Sequence, residues 1–155
     1  MLDLYDELKT LISGFHAKGI RYALCGGLAM AVHGIARATV DIDILIQAES
    51  LNSAQSAAEE LGYTIKTAPM SIADGIVQIR RVSKVDPDSR DMLTLDFLLV
   101  TEPLLEIWKT REEVNWEQGD LWVVSREGLI ALKRLRRSGQ DLDDIARLTE
   151  ESDEA

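Results

Sequence analysis

The run from Tyr22 to Gln47, YALCGGLAMAVHGIARATVDIDILIQ, restricts what this chain can fold into more than any other stretch. A short apolar segment ends in Gly26-Gly27, an Ala-rich segment of helical character follows, and an apolar segment then carries Asp41 and Asp43. This order predicts a strand, a glycine turn, a short helix and a second strand. Side chains alternate faces along a strand, so Asp41 and Asp43 point the same way, roughly 6.6 Å apart along the chain. Two carboxylates so placed can hold one or two hard cations. A Gly-Gly turn into a helix offers free backbone N–H groups to a phosphate. Together these are the minimum parts for phosphoryl or nucleotidyl transfer.

The competing reading of Asp41 and Asp43 is a plain amphipathic strand, with Val40, Ile42, Ile44 and Ile46 inward and the two Asp in water. Two details oppose it. Asp is disfavoured in strands, and the supposed wet face continues with Leu45. A second carboxylate bears on the choice. Asp96 sits in the apolar run Leu93 to Val100, where an unpaired charge is expensive to bury. It pairs with Arg80 or Arg81 on a neighbouring strand, lies at an edge, or binds metal. If its strand lies beside Thr39 to Ile46, the three carboxylates cluster and repel. A divalent ion, Mg²⁺ or Mn²⁺, removes that penalty.

The remaining sequence surrounds this unit with mixed α and β segments and shows no repeat or internal linker. Leu4, Leu8, Leu11, Ile12 and Phe15 have helical spacing in Leu2 to Lys18, and Gly19 stops that helix. Strands are expected at Ile20 to Cys25, Thr39 to Ile46, Tyr63 to Thr67, Gly75 to Val82, Met92 to Val100 and Leu121 to Val124. Helices are expected at Leu28 to His33, from an N-cap at Ser50 to Leu61, from Pro103 to about Glu113, from Ser125 through Arg137, and from Asp141 to Thr149. Val85 to Asp91 reads as a polar turn, Trp116 to Asp120 as a hairpin tip, and EESDEA as a solvated acidic tail. The fold class is therefore α+β: a central mixed sheet flanked by helices, with a short C-terminal helical segment. The 155 residues form one expected domain, with a core at about 20–124, C-terminal helices at about 125–149 and the tail at 150–155.

Bulk properties narrow the function classes. The formal net charge of −10 argues against broad, non-specific nucleic-acid binding but leaves room for a local basic patch. No apolar run approaches a membrane span, and the acidic N-terminus lacks a signal peptide's basic start. The single cysteine, Cys25, excludes an internal disulfide and fits a reducing cytoplasm. One cysteine and two histidines, His16 and His33, make poor material for a zinc site. Cys25 reads as a small buried apolar residue and His33 as structural. Trp108, Trp116 and Trp122 read as packing, with Trp116 also able to stack on a base. The basic patch Lys133-Arg134-x-Arg136-Arg137 is either a helix face paired with Asp141, Asp143 and Asp144 or a landing site for a triphosphate or RNA.

Gly26-Gly27, Asp41-x-Asp43 and Asp96 on a later strand resemble the nucleotidyltransferase fold of the DNA polymerase beta superfamily, many members of which carry Gly-Ser at the turn. Arg37-Ala38-Thr39-Val40-Asp41-Ile42-Asp43 is similar to the R-x-T-x-D-[ILV]-D run of small bacterial nucleotidyltransferases. Ser125 to Lys133, then Arg136-Arg137 and Asp141-Leu142-Asp143-Asp144-Ile145, resembles their C-terminal K-x(2–3)-R…D-x-x-D-[IL] segment. That subgroup includes the AbiEii-type abortive-infection toxins. The resemblance covers about Tyr22 to Leu148. It implies that Gly26 and Gly27 cradle the nucleotide phosphates, that Asp41 and Asp43 hold the nucleotide metal, and that Asp96 joins at a second metal and helps activate the attacking hydroxyl. It implies phosphate contacts for Arg37 and Lys133; a surface salt bridge and an ordinary exposed lysine are the respective alternatives. The expected activity moves a nucleoside monophosphate from an NTP such as ATP to an acceptor hydroxyl on RNA, with tRNA the prime candidate, or on protein, and releases pyrophosphate. A toxin role with an antitoxin partner follows from the same resemblance. The alternative is a non-catalytic nucleotide-binding or protein-interaction module on the same scaffold.

Overall fold

The computed structural model describes residues 2–35, 39–116, 119–136 and 139–154. Helix α1 (Leu4–Ala17) opens the chain; Asp3 caps it, its carboxylate accepting from the N–H groups of Tyr5 and Asp6. The unit anticipated from sequence follows: β1 (Ala23–Cys25), α2 (Gly26–Val32) and β2 (Asp41–Ile46). Then come α3 (Leu51–Glu60), β3 (Ile65–Lys66), β4 (Met70–Ile72), β5 (Val77–Val85), β6 (Met92–Leu99), α4 (Leu105–Lys109), β7 (Glu112–Trp116), β8 (Gly119–Val123), α5 (Arg126–Arg136) and α6 (Gly139–Glu154). Among the described residues the strands form one mixed sheet in the order β3-β5-β6-β2-β1-β8-β7, with β4 also on β5. β2 runs parallel to β6 and β1 parallel to β8; the other pairs are antiparallel.

Strand alternation divides the centre of this sheet into two faces. Leu24, Ile44 and Phe97 share one row on one face, and all are fully buried. Phe15 of α1 meets Phe97 and Tyr22 with ring centroids 6.3 and 5.7 Å apart. Leu8 and Leu11 of the same helix are also without exposed surface. Each such side chain contributes about 1.5–3 kcal/mol by leaving water, so this layer anchors the fold. Lys84 of β5 ties α1 to the sheet through an ion pair with Glu7 at 2.6 Å, while the Tyr63 hydroxyl donates to the same carboxylate at 3.0 Å. The opposite face is mixed: acidic at Asp41, Asp43 and Asp96, and apolar at Leu45 and Leu98. Helix α5 packs against α2 and α6 and brings Leu129 and Leu132 close to Leu98. Among the described residues no helix is long and apolar enough to cross a membrane.

Several sequence-based boundaries need correction. The helix expected to reach Glu113 ends at Lys109, and Glu112 opens β7 instead. Pairing of Val114 with Leu121 and Glu113 with Trp122 outweighs the helix propensity of the two glutamates. β4 was not expected; it is a three-residue strand paired with β5. The supposed tail from Glu150 continues α6 as far as Glu154, because nothing after Gly139 interrupts a sequence rich in helix-forming residues. Ser50 stands before α3 but makes no side-chain cap. Ser125 does cap α5, its hydroxyl accepting from the Gly128 N–H at 3.0 Å.

Candidate active site

Strand register brings the chemistry together. Asp43 of β2 lies level with Asp96 of β6, Asp96 with Arg81 of β5, and Asp43 with Cys25 of β1. One row across four neighbouring strands therefore runs Arg81, Asp96, Asp43, Cys25. Asp41 sits one row away on the same face, level with Thr94 and Ser83. Asp41 and Asp43 are half-buried, and Asp96 is 6% exposed. The shared face expected for Asp41 and Asp43 and the adjacency of Asp96 are both present.

Asp96 already has a cation. Arg81 grips it in a bidentate pair, Nε donating to Oδ1 at 2.8 Å and Nη2 to Oδ2 at 3.0 Å. That pairing explains how a carboxylate is tolerated within an apolar strand. Of the two arginines considered from sequence, Arg81 is the partner; Arg80 lies level with Phe97, on the other side of the pleat. Asp43 is in a different condition. Burial, then the charge of Asp96 and, less strongly, that of Asp41 push its carboxyl up to about 7, while Arg136 and Lys133 pull it partly back.

The row offers a partial fit to a metal ion. Among the described residues no three His, Cys, Asp or Glu side chains converge as a ready-made cage. Asp41 and Asp43 supply two carboxylates, while the third, Asp96, is turned to Arg81. The donor chemistry still suits a hard divalent cation. The donors are all oxygen, and Asp43 retains a proton near neutrality largely because of burial and neighbouring negative charge, which a cation would offset.

The glycine turn meets this row directly. Gly26 has φ +69°, and a Cβ there would overlap Asp43 Oδ2 and lie 2.8 Å from Asp43 Cγ. Only glycine both adopts this backbone without strain and lets the carboxylate lie against it. Gly27 is buried in the first turn of α2. Cys25, at the N-cap, makes no side-chain hydrogen bond there, so no side chain of that residue caps the first turn. Burial and the neighbouring Asp43 charge push the Cys25 thiol up, which keeps it a protonated, apolar group. His33 is structural, its Nε2 donating to the Val124 carbonyl at 2.8 Å.

Helix α5 contributes positive charge, but not as an exposed basic patch. Lys133 is 3% exposed and paired with Asp144 at 3.0 Å, with Asp141 at 3.8 Å. It is thus neither an ordinary surface lysine nor a side chain extended into open space. Arg136, whose side chain is 42% exposed, leans on Asp141 at 3.7 Å. Lys133 and Arg136 line a narrow gap with Gly26, Asp43 and Leu132, about 20 Å³ in volume, which admits a water but not a phosphate group. Arg37 and Arg137, candidate phosphate contacts from sequence, lie outside the described residues. Two residues that sequence reasoning underrated are Arg81, considered only as a salt-bridge partner, and Arg136, submerged in a basic run. The signal for Arg81 was its position opposite Asp96 across a hairpin.

A mixed sheet with paired carboxylates on one strand, a third on its parallel neighbour and a glycine turn against them defines a nucleotidyltransferase of the DNA polymerase beta type. In sequence, residues 11–148 match the family described as nucleotidyl transferase AbiEii toxin, type IV toxin–antitoxin system, and the chain belongs to that family. No curated protein is significantly similar to it in sequence. Solved structures share the fold at low identity. TM1012 of Thermotoga maritima, a protein proposed to be a nucleotidyltransferase, superposes with a TM-score of 0.62 at 14% identity over 96% of this chain and 91% of its own. ANT(2'')-Ia, solved in complex with adenylyl-2''-tobramycin, gives 0.58 at 14% identity over 94% and 86%. JHP933 of Helicobacter pylori gives 0.52 at 18% identity, with 64% of that chain covered.

Proposed function

We propose that this nucleotidyltransferase moves a nucleoside monophosphate from an NTP to a hydroxyl of an RNA acceptor, with tRNA the first candidate and protein the second. We further propose that it acts as the toxin of a toxin–antitoxin pair. The observation that carries the transfer reading is the level placement of Asp43 and Asp96 on parallel strands, beside Asp41 and against Gly26. Asp41 and Asp43 would hold Mg²⁺ or Mn²⁺, with Asp96 as a third ligand once Arg81 lets go. When bound, the ion would neutralise phosphate charge and polarise the reacting oxygens.

The chain's own residues account for the rest. The N–H groups of Gly26 and Gly27, at the start of α2, meet the phosphates, and Arg37 adds a cation from the segment before β2. The acceptor oxygen forms a bond to the α-phosphorus. The bond from that phosphorus to the oxygen bridging toward the β-phosphate breaks, and pyrophosphate leaves. The acceptor proton passes to the carboxylate cluster, where Asp96, level with Asp43 on the parallel strand, helps activate the acceptor hydroxyl. Lys133 acts from its buried pair by moderating the charge at Asp43, and Arg136 is the better exposed cation for a phosphate.

The test mixes protein, Mg²⁺ and each α-labelled NTP with purified tRNA, and separately with a protein extract depleted of RNA. Label should enter RNA, and Asp41→Asn should abolish it while the circular dichroism spectrum stays native. Label entering protein instead overturns the RNA assignment. Transfer at the native rate by Asp41→Asn overturns the site. For the toxin reading, growth arrest on expression should vanish with the same substitution.

A further inference from the structure

At the end of β1 remote from Gly26, a cavity of about 300 Å³ opens between α1 and the β7–β8 hairpin. His16, Arg21, Tyr22, Arg111 and Trp122 line it. Among the described residues no carboxylate does so, in a chain of net charge −10. Arg111 is held in a particular way. Its guanidinium lies 3.9 Å from the ring centroid of Trp108 and 4.8 Å from that of Trp122, and Nη1 donates to the Trp108 carbonyl at 2.9 Å. Its Nε is buried and lacks a hydrogen-bond partner, the one such side-chain atom found among the described residues. Burial first, and then the charge of Arg21, exposed on the same cavity, disfavour the charge of Arg111. Two like charges facing one space, one with an orphan donor and held beside two tryptophan rings, form an arrangement that an anion would complete.

We infer that this cavity is a second anion site, distinct from the Asp41–Asp43–Asp96 row, and that Arg111 and Arg21 there bind a phosphate group. Roughly 13 Å of extended chain separates Arg21 from Cys25. Tyr22 faces the α1 layer through its contact with Phe15, whereas Asp43 lies on the opposite sheet face. Planar guanidinium forks match phosphate oxygens, and stacking fixes the Arg111 fork before any ligand arrives. The phosphate has two possible sources: a free nucleotide or inorganic phosphate, and the backbone of a nucleic-acid strand.

Trp108 and Trp122 report on the site directly. The full chain is titrated with inorganic phosphate, with AMP and with a short single-stranded RNA, at constant ionic strength and with EDTA present, while tryptophan emission is followed. A saturable change is expected, weakened at least about tenfold in Arg111→Gln and in Arg21→Gln and retained in Asp41→Asn/Asp43→Asn. Saturation by phosphate and AMP at similar concentrations assigns a small-anion site. Saturation by RNA at far lower phosphate-equivalent concentration assigns a backbone grip. Arg21 is exposed, so its variant keeps the test valid if Arg111→Gln fails to fold. Absence of a saturable response to all three probes, its persistence in Arg21→Gln, or its loss in Asp41→Asn/Asp43→Asn would overturn the inference.

Discussion

Gly26→Ala separates backbone strain from site geometry, because the chain contains its own control. Gly26 and Gly19 share nearly the same backbone, φ +69° and +66°. An alanine in that region costs about 1–2 kcal/mol at either position. For a chain of this size the melting temperature should fall by about 2–8 °C in each variant. The surroundings differ. Nothing lies within 4 Å of a Cβ at Gly19, whereas one at Gly26 would overlap Asp43 Oδ2 and sit 2.8 and 2.9 Å from Asp43 Cγ and Cβ. The Asp43 side chain must give way, and misplacing a reacting group by about an ångström costs on the order of 10²-fold in rate. The assay pairs thermal melts with initial rates of labelled NMP transfer. Similar melts, near-native transfer by Gly19→Ala and a loss of about 10²-fold in Gly26→Ala are expected. Native transfer by a folded Gly26→Ala would refute the claim that the turn fixes Asp43.

The charged groups around this turn yield three further tests. Asp43 has its carboxyl raised from 3.8 to about 7 in the folded protein. The folded state therefore keeps a proton that the unfolded chain releases. This stabilisation is complete below about pH 4 and lost as pH rises through about 7. In EDTA, denaturation curves should show native stability falling over that window relative to Asp43→Asn; parallel pH profiles would remove the basis for the shift. Arg81→Leu leaves Asp96 buried without its partner and should destabilise by about 1–3 kcal/mol, toward the low end because the Arg81 side chain is 38% exposed. It also frees a ligand, so Mn²⁺ measured by calorimetry should bind more tightly; unchanged affinity would deny Asp96 a role at the metal. Lys133→Met removes the ammonium 3.0 Å from Asp144, which has no exposed surface, and should cost about 3–5 kcal/mol. Lys133→Met/Asp144→Leu should recover most of that in urea melts, and a single variant as stable as wild type would show that the buried pair is not structural.

The parts of the fold that could be read from sequence are those where local pattern and tertiary environment agree. Helix α1 has its Leu8, Leu11 and Phe15 stripe against the sheet, and β2 alternates as its Ile and Asp residues indicate. The failures share a cause. β4 and β7 exist because a neighbouring strand supplies hydrogen bonds, and Glu112-Glu113 contains nothing that announces β8. Lys133 shows the same limit for the site. Its spacing from Asp141 and Asp144 suggests pairing across α5 and α6, but whether such a pair is wet or dry depends on what covers it. Here Asp144 is fully enclosed, so a lysine read as surface charge is an interior ion pair.

The partner of Asp96, by contrast, was within reach of the sequence. The turn placed between Val85 and Asp91 makes Val85 and Met92 the closing pair of an antiparallel hairpin, as they are in the structure. Four residues back from Val85 is Arg81, and four forward from Met92 is Asp96. Antiparallel pairing then sets these two side by side and sends Arg80 to the other face. The same count fixes more than a salt bridge. β6 must lie against β5 on one side, so only its other edge remains for β2, and parallel alignment there sets Asp43 beside Asp96. Arg81 and the Asp41–Asp43 pair thus compete for one carboxylate from opposite sides of a single strand. In the structure Asp96 is held by Arg81; on the proposed metal role it would turn toward Asp43 once a cation offset the repulsion between them.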